Sequence, residues 1–529
     1  MSFPSKGPRV IHLMDIGRRT SYRPLEAFER GHQVLPVRGQ CALMWLILVC
    51  KSGDRSTGRA VRLLLLALLI SACEAFLTRA NSLAQQPPVP VAPPVSPIPI
   101  TGGQGLLFLS QFANPALVGS LYLTPAYPLT GFYPLYPGFL SPAFPEGGIA
   151  AGPVILHPHM GVAEMYTDNV FRTNTNKQSD FFHTLSPGIQ AQLPFADRHM
   201  FLVDYRTNIQ YYERNPSNNV QDQTASGRFR FDFPGGLKLD LQGEHKLGHD
   251  PRGSAVDIQA LEVNKWTANS VVGQAEYLGA QAGLLLRLQS VRWNYLNNNQ
   301  ALIRDRLSNY ASLTFLGNLG AKTYALANVG AGQEIYDENK NLDSAIYLVS
   351  GGLRWELSAL TYGEIQAGYQ YLKFSNPATR HPGSVLDLFQ RDRDAFSSFF
   401  LAGNLNWTPT PLLLVSLQGY RTIQQTAVAG TLFFVATGVN LSLIHQVTDQ
   451  IALTANLGYE VDDFSGSLAA GGEETKRSDT LKNIAVGVTY RAVEWVGASF
   501  QYVLEDRSSA IDLFAYRANT FTVAVEALF

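Results

Sequence analysis

The sequence predicts an all-β fold: a closed antiparallel transmembrane β-barrel of about 18 strands, with short periplasmic turns and long extracellular loops. Three observations carry this expectation. From Val154 onward the chain repeats stretches of about 10 to 15 residues in which apolar and polar side chains alternate. Short turns interleave with long polar loops along the same region, and the last such stretch ends at an aromatic residue, Phe529.

The alternation is read most directly in residues 201–212, where Phe201, Val203, Tyr205, Ile209 and Tyr211 share one face. Asp204, Arg206, Asn208 and Gln210 share the other, because successive side chains of a strand point to opposite sides. The next pair repeats the pattern across a turn at Pro234, Gly235 and Gly236. Phe229, Phe231 and Phe233 oppose Arg228, Arg230 and Asp232, and then Leu237, Leu239 and Leu241 oppose Lys238, Asp240, Gln242 and Glu244. Ile365, Tyr369 and Tyr371 lie against Glu364, Gln366 and Gln370, and Ile451, Leu453, Leu457 and Tyr459 against Thr454, Asn456 and Glu460. One face suits lipid and the other suits water. A soluble sandwich also alternates, but so regular a placement of aromatics over so many long strands would be exceptional for it. Outside the N-terminal region no run approaches the roughly 18 to 20 apolar residues of a membrane-spanning helix.

Short turns are expected near residues 195–197, 234–236, 279–281, 408–411 and 492–494. Longer polar loops are expected near 215–222, 250–264, 297–305, 337–343, 375–393, 462–479 and 505–517. This asymmetry is that of an outer-membrane barrel, whereas a soluble barrel has no reason to gather its long loops at one end. In hydrocarbon an open sheet edge would leave a row of backbone groups unpaired, so the first strand, near residues 159–166, should pair with residues 520–529. In that last strand Phe521, Val523, Val525 and Phe529 share one face, which resembles the C-terminal signal read by barrel-assembly machinery.

Residues 154–529 are thus assigned to the barrel, 1–84 to an N-terminal extension with a signal peptide, and 85–153 to a Pro/Gly/Tyr-rich periplasmic linker or plug segment. The apolar run 63–72 follows Lys51, Arg55, Arg59 and Arg62 and precedes Ser82, Leu83 and Ala84, the order of a secretory signal peptide cleaved after Ala84. A competing reading takes Ile70, Ser71, Ala72 and Cys73 as a lipobox that would leave Cys73 acylated. Some sixty residues precede the signal, which suggests a start downstream of Met1, with Met44 as a candidate. All three cysteines precede Ala84, so the mature chain holds neither a disulfide framework nor a thiolate metal site. Removing residues 1–84 leaves 29 Lys+Arg against 37 Asp+Glu, a net charge of −8, which does not attract nucleic acid. The prolines of 85–99 enforce an extended spacer. Segment 101–153 has too many prolines for ordinary strand or helix. A poorly ordered linker is its simplest reading, with a docking segment or a plug as alternatives.

Tyr166, Thr167, Asp168, Asn169, Val170, Phe171 and Arg172, followed by Leu185, Ser186, Pro187 and Gly188, resemble the β-barrel porin family of outer-membrane proteins often associated with exopolysaccharide operons. The resemblance covers roughly residues 154–529. It implies an outer-membrane barrel linked to envelope or polysaccharide export and supplies no catalytic residues.

No GxxxxGK[ST], HExxH or GxSxG motif occurs, and Gly320, Ala321, Lys322 and Thr323 read as a hairpin turn. His157 and His159 flank Pro158, but two ligands without a third make a weak metal site. The acidic positions Asp337, Glu338, Asp343, Asp462, Asp463, Glu505 and Asp506 read as solvated loop charge. No cofactor, metal or catalytic residue is expected, and the chain is not expected to be an enzyme. The candidate pore-lining residues are Asp204, Arg206, Asn208, Gln210, Arg228, Arg230, Asp232, Lys238, Asp240, Glu244, Arg354, Glu364, Glu460 and Arg491. Charges of both signs on a water-filled wall would tune ion or solute selectivity; the alternative is that they only brace the barrel. The expected function is a porin-like channel for small solutes or saccharide material, with a non-conducting structural or docking barrel as the second reading. The expected partners are outer-membrane lipid and lipopolysaccharide, the barrel-assembly machinery and polysaccharide-export components, with no nucleic acid.

Overall fold

Period-two sequences rich in aromatic and aliphatic residues pair with their chain neighbours into one sheet. A computed structural model shows where each pairing falls, describing residues 148–528 apart from 197, 255–261, 321–322, 359–360, 377–393, 411, 427–430, 467, 471–472 and 494. The N-terminal extension, the signal region with Ala84 and Cys73, most of the Pro/Gly/Tyr-rich segment, and Phe529 lie outside the described residues.

Eighteen antiparallel strands form the wall. They are β1 (Val154–Thr167), β2 (Asp180–Phe195), β3 (His199–Tyr212), β4 (Val220–Asp232), β5 (Leu237–His249) and β6 (Lys265–Leu278). Then come β7 (Ala282–Tyr295), β8 (Arg306–Gly320), β9 (Thr323–Tyr336), β10 (Ser344–Ser358), β11 (Thr361–Phe374) and β12 (Ala395–Thr410). The last six are β13 (Leu413–Gln425), β14 (Phe433–Gln446), β15 (Ile451–Phe464), β16 (Ser478–Val493), β17 (Val496–Ser509) and β18 (Tyr516–Leu528). Each pairs with the next, and β1 closes on β18 from His159↔Leu528 to Thr167↔Thr520, the pairing the sequence predicts. A short strand, Ile149–Ala151, folds back on the start of β1.

The strands hold 13 to 16 residues, more than the roughly 9 to 11 that cross a bilayer, so they continue beyond the membrane. Their periplasmic connections are tight. Gly235 and Gly236 adopt φ of +88° and +90° between β4 and β5, a conformation that favours glycine. Phe233 N donates to Leu237 O across that turn at 2.8 Å.

Apolar side chains cover the outer face, with Val203, Leu241, Leu286, Val349, Leu453 and Val525 among those exposed. Aromatics cluster near both ends of that face: Phe181, Tyr211, Tyr371, Tyr459 and Phe521 toward the loops, and Phe229, Phe233, Tyr277, Trp407 and Trp495 toward the turns. These are the two girdles that anchor a barrel at the membrane interfaces.

Several expected loops prove shorter. β15 runs through Asp462 and Asp463, and β17 through Glu505 and Asp506. Strands that rise above the lipid tolerate charge on both faces, so acidic residues do not mark their ends. Asp462 is fully buried rather than solvated.

Candidate functional site

Because directly paired residues of neighbouring strands share a face, the register fixes which side chains point inward. All fourteen candidate residues lie on the inner face. Asp204 pairs with Gln190 and Ser226, Arg230 with Asp240, Asp232 with Lys238, and Arg354 with Glu364. Their outward neighbours Tyr205, Leu353, Ile365, Tyr459 and Tyr490 are exposed apolar groups.

The structure gathers most of these residues on β3–β5 into cross-strand or i,i+2 ion pairs. Arg228 Nε lies 2.8 Å from both carboxylate oxygens of Asp240. Arg206 Nε donates to Asp204 Oδ1 at 2.6 Å, and Arg230 Nε lies 3.5 Å from Asp232. Lys238 reaches 4.0 Å from Glu276 of β6. Ser186 Oγ donates to Asn208 at 2.9 Å, and the Tyr212 hydroxyl to Gln210 at 3.3 Å. Elsewhere on the wall Arg354 Nε donates to Glu364 at 2.7 Å, and the Tyr420 hydroxyl donates to Glu460. Glu244 is half-buried and Arg491 exposed at the periplasmic end, both apart from these pairs.

Two inward-folded elements narrow the extracellular mouth. The first is the start of the β5–β6 loop. Asp250 accepts from the Trp266 indole and Asn264 at 3.1 Å each and pairs with Arg304. Two residues on, Arg252 donates to Asn218 Oδ1 at 3.0 and 2.9 Å and lies over the Phe171 ring at 5.4 Å. The Gly253 carbonyl accepts from Arg507 Nη1 on β17 at 2.5 Å. At Gly253 φ is +74°, and an added Cβ would sit 2.8 Å from the Tyr516 ring of β18. Arg507 Nε also lies 3.1 Å from Asp479, which Arg477 holds at 2.7 Å while its guanidinium stacks 3.6 Å from the Phe514 ring.

The second element is the end of the β13–β14 hairpin. β13 pairs with β12 no further than Arg421, opposite Leu401, and then leans over β11. There Thr422 Oγ1 and Ile423 N donate to Gln370 Oε1 at 3.1 and 2.9 Å. Ile423, Leu432, Phe433 and Val435 bury themselves against Tyr336, Leu342, Ile346, Leu372 and Phe374.

Outside the membrane-spanning part, burial lowers the pKa of Arg477, opposed by Asp479. Burial also works against the Arg172 charge, but Glu505, 2.6 Å away, carries the net shift upward. Burial raises the carboxyl pKa values of Asp305 and Asp343, although each accepts a backbone N–H, from Tyr295 and Tyr336 respectively.

Sequence reasoning missed the apolar interior and the buried pairs at the mouth, Arg304–Asp250, Arg306–Glu334 and Arg507–Asp479. It also missed Arg287, because Leu284, Leu285, Leu286 and Leu288 around it blur the period of two. Leu432, Phe433, Phe434, Val435 and Ala436 form a continuous apolar run, the one available signal of a segment buried on both faces. His157 and His159 point inward from β1, and the His159 ring sits where a Cβ on Gly188 would lie. Among the described residues no cluster of three His, Cys, Asp or Glu is arranged to hold a metal ion.

A closed antiparallel barrel with an apolar girdled exterior and a charged interior defines the class of outer-membrane β-barrels. The chain belongs to the β-barrel porin family described as "Putative beta-barrel porin 2", which it matches over residues 141–529. It resides in the outer membrane. No curated protein matches the sequence. Among solved structures, "Copper transporter OprC" is 9% identical with a TM-score of 0.41, covering 72% of this chain and 81% of that one. The outer membrane protein opdK from Pseudomonas aeruginosa is 10% identical with a TM-score of 0.40, covering 71% of this chain and 98% of that one. The FrpB iron transporter from Neisseria meningitidis is 9% identical with a TM-score of 0.37, covering 66% of this chain and 62% of that one.

Proposed function

We propose that the barrel is a water-filled channel that passes small polar solutes, or saccharide material, across the outer membrane without catalysing a reaction. The observation that carries this reading is the inner face of β3–β7. Charged and amide side chains line it on consecutive strands, in a barrel of a size class that encloses an aqueous path when the lumen is not plugged. The family resemblance to porins associated with exopolysaccharide operons makes a role beside polysaccharide export the natural cellular setting. Paired charges on such a wall set its field while limiting the desolvation cost of each group.

A second reading is favoured by a separate observation. The apolar cluster around Phe433 and the Gly253 contact with Arg507 both close part of the mouth. A barrel closed in this way would serve as a non-conducting anchor or docking body of the envelope.

Planar-bilayer recording of the purified, folded barrel separates the two. The channel reading predicts discrete conductance steps whose ion preference moves toward cations in an Arg206→Glu, Arg230→Glu double variant. Silent bilayers from protein that still shows heat-modifiable migration would favour the anchor.

A further inference from the structure

Apart from Arg491, which is exposed at the periplasmic end, the lumen arginines described so far are held by acceptors: Arg206 by Asp204, Arg228 by Asp240, Arg230 by Asp232, Arg306 by Glu334, Arg354 by Glu364 and Arg507 by Asp479. Arg287 is different. It sits on β7 six residues from the periplasmic turn, points inward between the lipid-facing Leu286 and Leu288, and is only 7% exposed. Its Nε is buried and has no hydrogen-bond partner among the described residues. The carboxylate whose charge bears on it, Asp240, is two strands away and already gripped by Arg228 on both oxygens.

The groups directly across from Arg287 are neutral and polar; on the same inner face Leu285 lies two residues back along β7, and Glu276, diagonal on β6, lies 4.0 Å from Lys238. Directly across on the neighbouring strands stand Gln274 of β6 and Ser312 of β8. Two residues along β7 stands Gln289, whose Oε1 is also buried without a partner among the described residues. Opposite Gln289 is Tyr310, whose hydroxyl reaches over the bare backbone of Gly330. A buried guanidinium without an acceptor forgoes the charge-assisted hydrogen bonds that its fork geometry is built to make. Leaving it so costs free energy that a bound oxyanion would recover. The amides and hydroxyls beside it suit hydroxyl groups on the same ligand.

We infer that Arg287, with Gln289, Gln274, Tyr310 and Ser312, forms an oxyanion-binding site on the channel wall, selecting small hydroxylated anions. The inference rests on the channel reading for its role in transport but not for binding itself. A carboxylate or a phosphate could fill the guanidinium fork; the hydroxyl-rich surroundings favour a polyhydroxylated carboxylate.

The test uses the full barrel folded in detergent and titrated calorimetrically with gluconate, inorganic phosphate and chloride, alongside Arg287→Gln and Arg287→Lys variants. Heat-modifiable migration checks that each variant is folded. The site predicts gluconate binding that weakens at least tenfold in Arg287→Gln and to a lesser degree in Arg287→Lys, with chloride far weaker. Preferential binding of phosphate, equally dependent on Arg287, would keep the oxyanion site and assign it to phosphorylated solutes. Equal binding by wild type and Arg287→Gln, or no binding of either oxyanion, would overturn it. In bilayers, gluconate should reduce the wild-type current and leave Arg287→Gln unaffected. Silent bilayers together with Arg287-dependent binding would remove the channel reading and leave the site standing.

Discussion

The β5–β6 loop and the end of the β13–β14 hairpin both fold into the extracellular mouth, and they are held there by opposite chemistry. The loop is fixed by charge and hydrogen bonds: Asp250 on Arg304 and Trp266, Arg252 on Asn218, and the Gly253 carbonyl on Arg507. The hairpin end is fixed by an apolar cluster, with Gln370 answering the few backbone and hydroxyl donors. An ion-paired latch is sensitive to the removal of a single partner and to salt, whereas an apolar one depends on volume and shape. The two closures are therefore separable by experiment.

The largest expected effect is Asp250→Ala. It takes the Asp250 carboxylate away from the buried Arg304 cation and from the Trp266 indole, which should cost about 3 to 5 kcal/mol locally. Hydrogen exchange at the start of β6 and in the 301–304 turn should rise sharply while the β13–β14 end stays protected. Phe433→Ala should cost about 3 to 4 kcal/mol by leaving a cavity among Ile423, Leu372 and Phe374, with the pattern of exchange reversed. Exchange rising equally at both sites in either variant would show that the two elements form one cooperative unit.

Gly253→Ala should be milder, about 1 to 2 kcal/mol, because the left-handed backbone and the Tyr516 ring both resist a Cβ. Its sharper signature is functional: the freed loop tip should raise single-channel conductance, and an unchanged conductance would place the narrowest point elsewhere. Raising salt from 0.1 to 1 M shortens the Debye length from about 10 to about 3 Å. This should speed exchange slightly at the loop and leave the hairpin end unmoved.

The smallest effect is one of pH. Burial raises the folded-state pKa of Asp343, beside the hairpin's apolar cluster, above its unfolded value. Ionisation is then harder in the folded state, so stability falls as pH rises from the ordinary carboxylate range to the raised value and is level beyond it. An Asp343→Asn variant should flatten that slope in thermal unfolding curves; an unchanged slope would assign it to other groups.

The wall was legible in the sequence because a strand half in lipid must alternate. Residues 201–212 and 228–244 do so at nearly every position, with Leu202 on the inner face and Thr207 on the outer as departures, and each candidate drawn from them faces inward. The closing pair of β1 and β18 followed from the need to satisfy every backbone group in hydrocarbon. The mouth was not legible. Above the lipid, alternation is no longer enforced, so Ile423, Phe433 and Val435 are buried in a closure that no period announces. Nor does sequence distance hint that Gly253 meets Arg507 and Tyr516. The ion pairs were readable as charges but not as partners, since pairing depends on register, which the turns fix and a pattern of two cannot. Arg287 was hidden in a leucine run that satisfies both faces.

The most direct test of an apolar exterior around a watery lumen uses the absence of cysteine from residues 148–529. Single cysteines at Arg206 and Asn208, and at Tyr205 and Ile209, would be exposed in native outer membranes to a charged, membrane-impermeant thiol reagent. Labelling should be fast at 206 and 208 and blocked at 205 and 209. Equal labelling at all four, or protection at all four in a folded barrel, would contradict this arrangement.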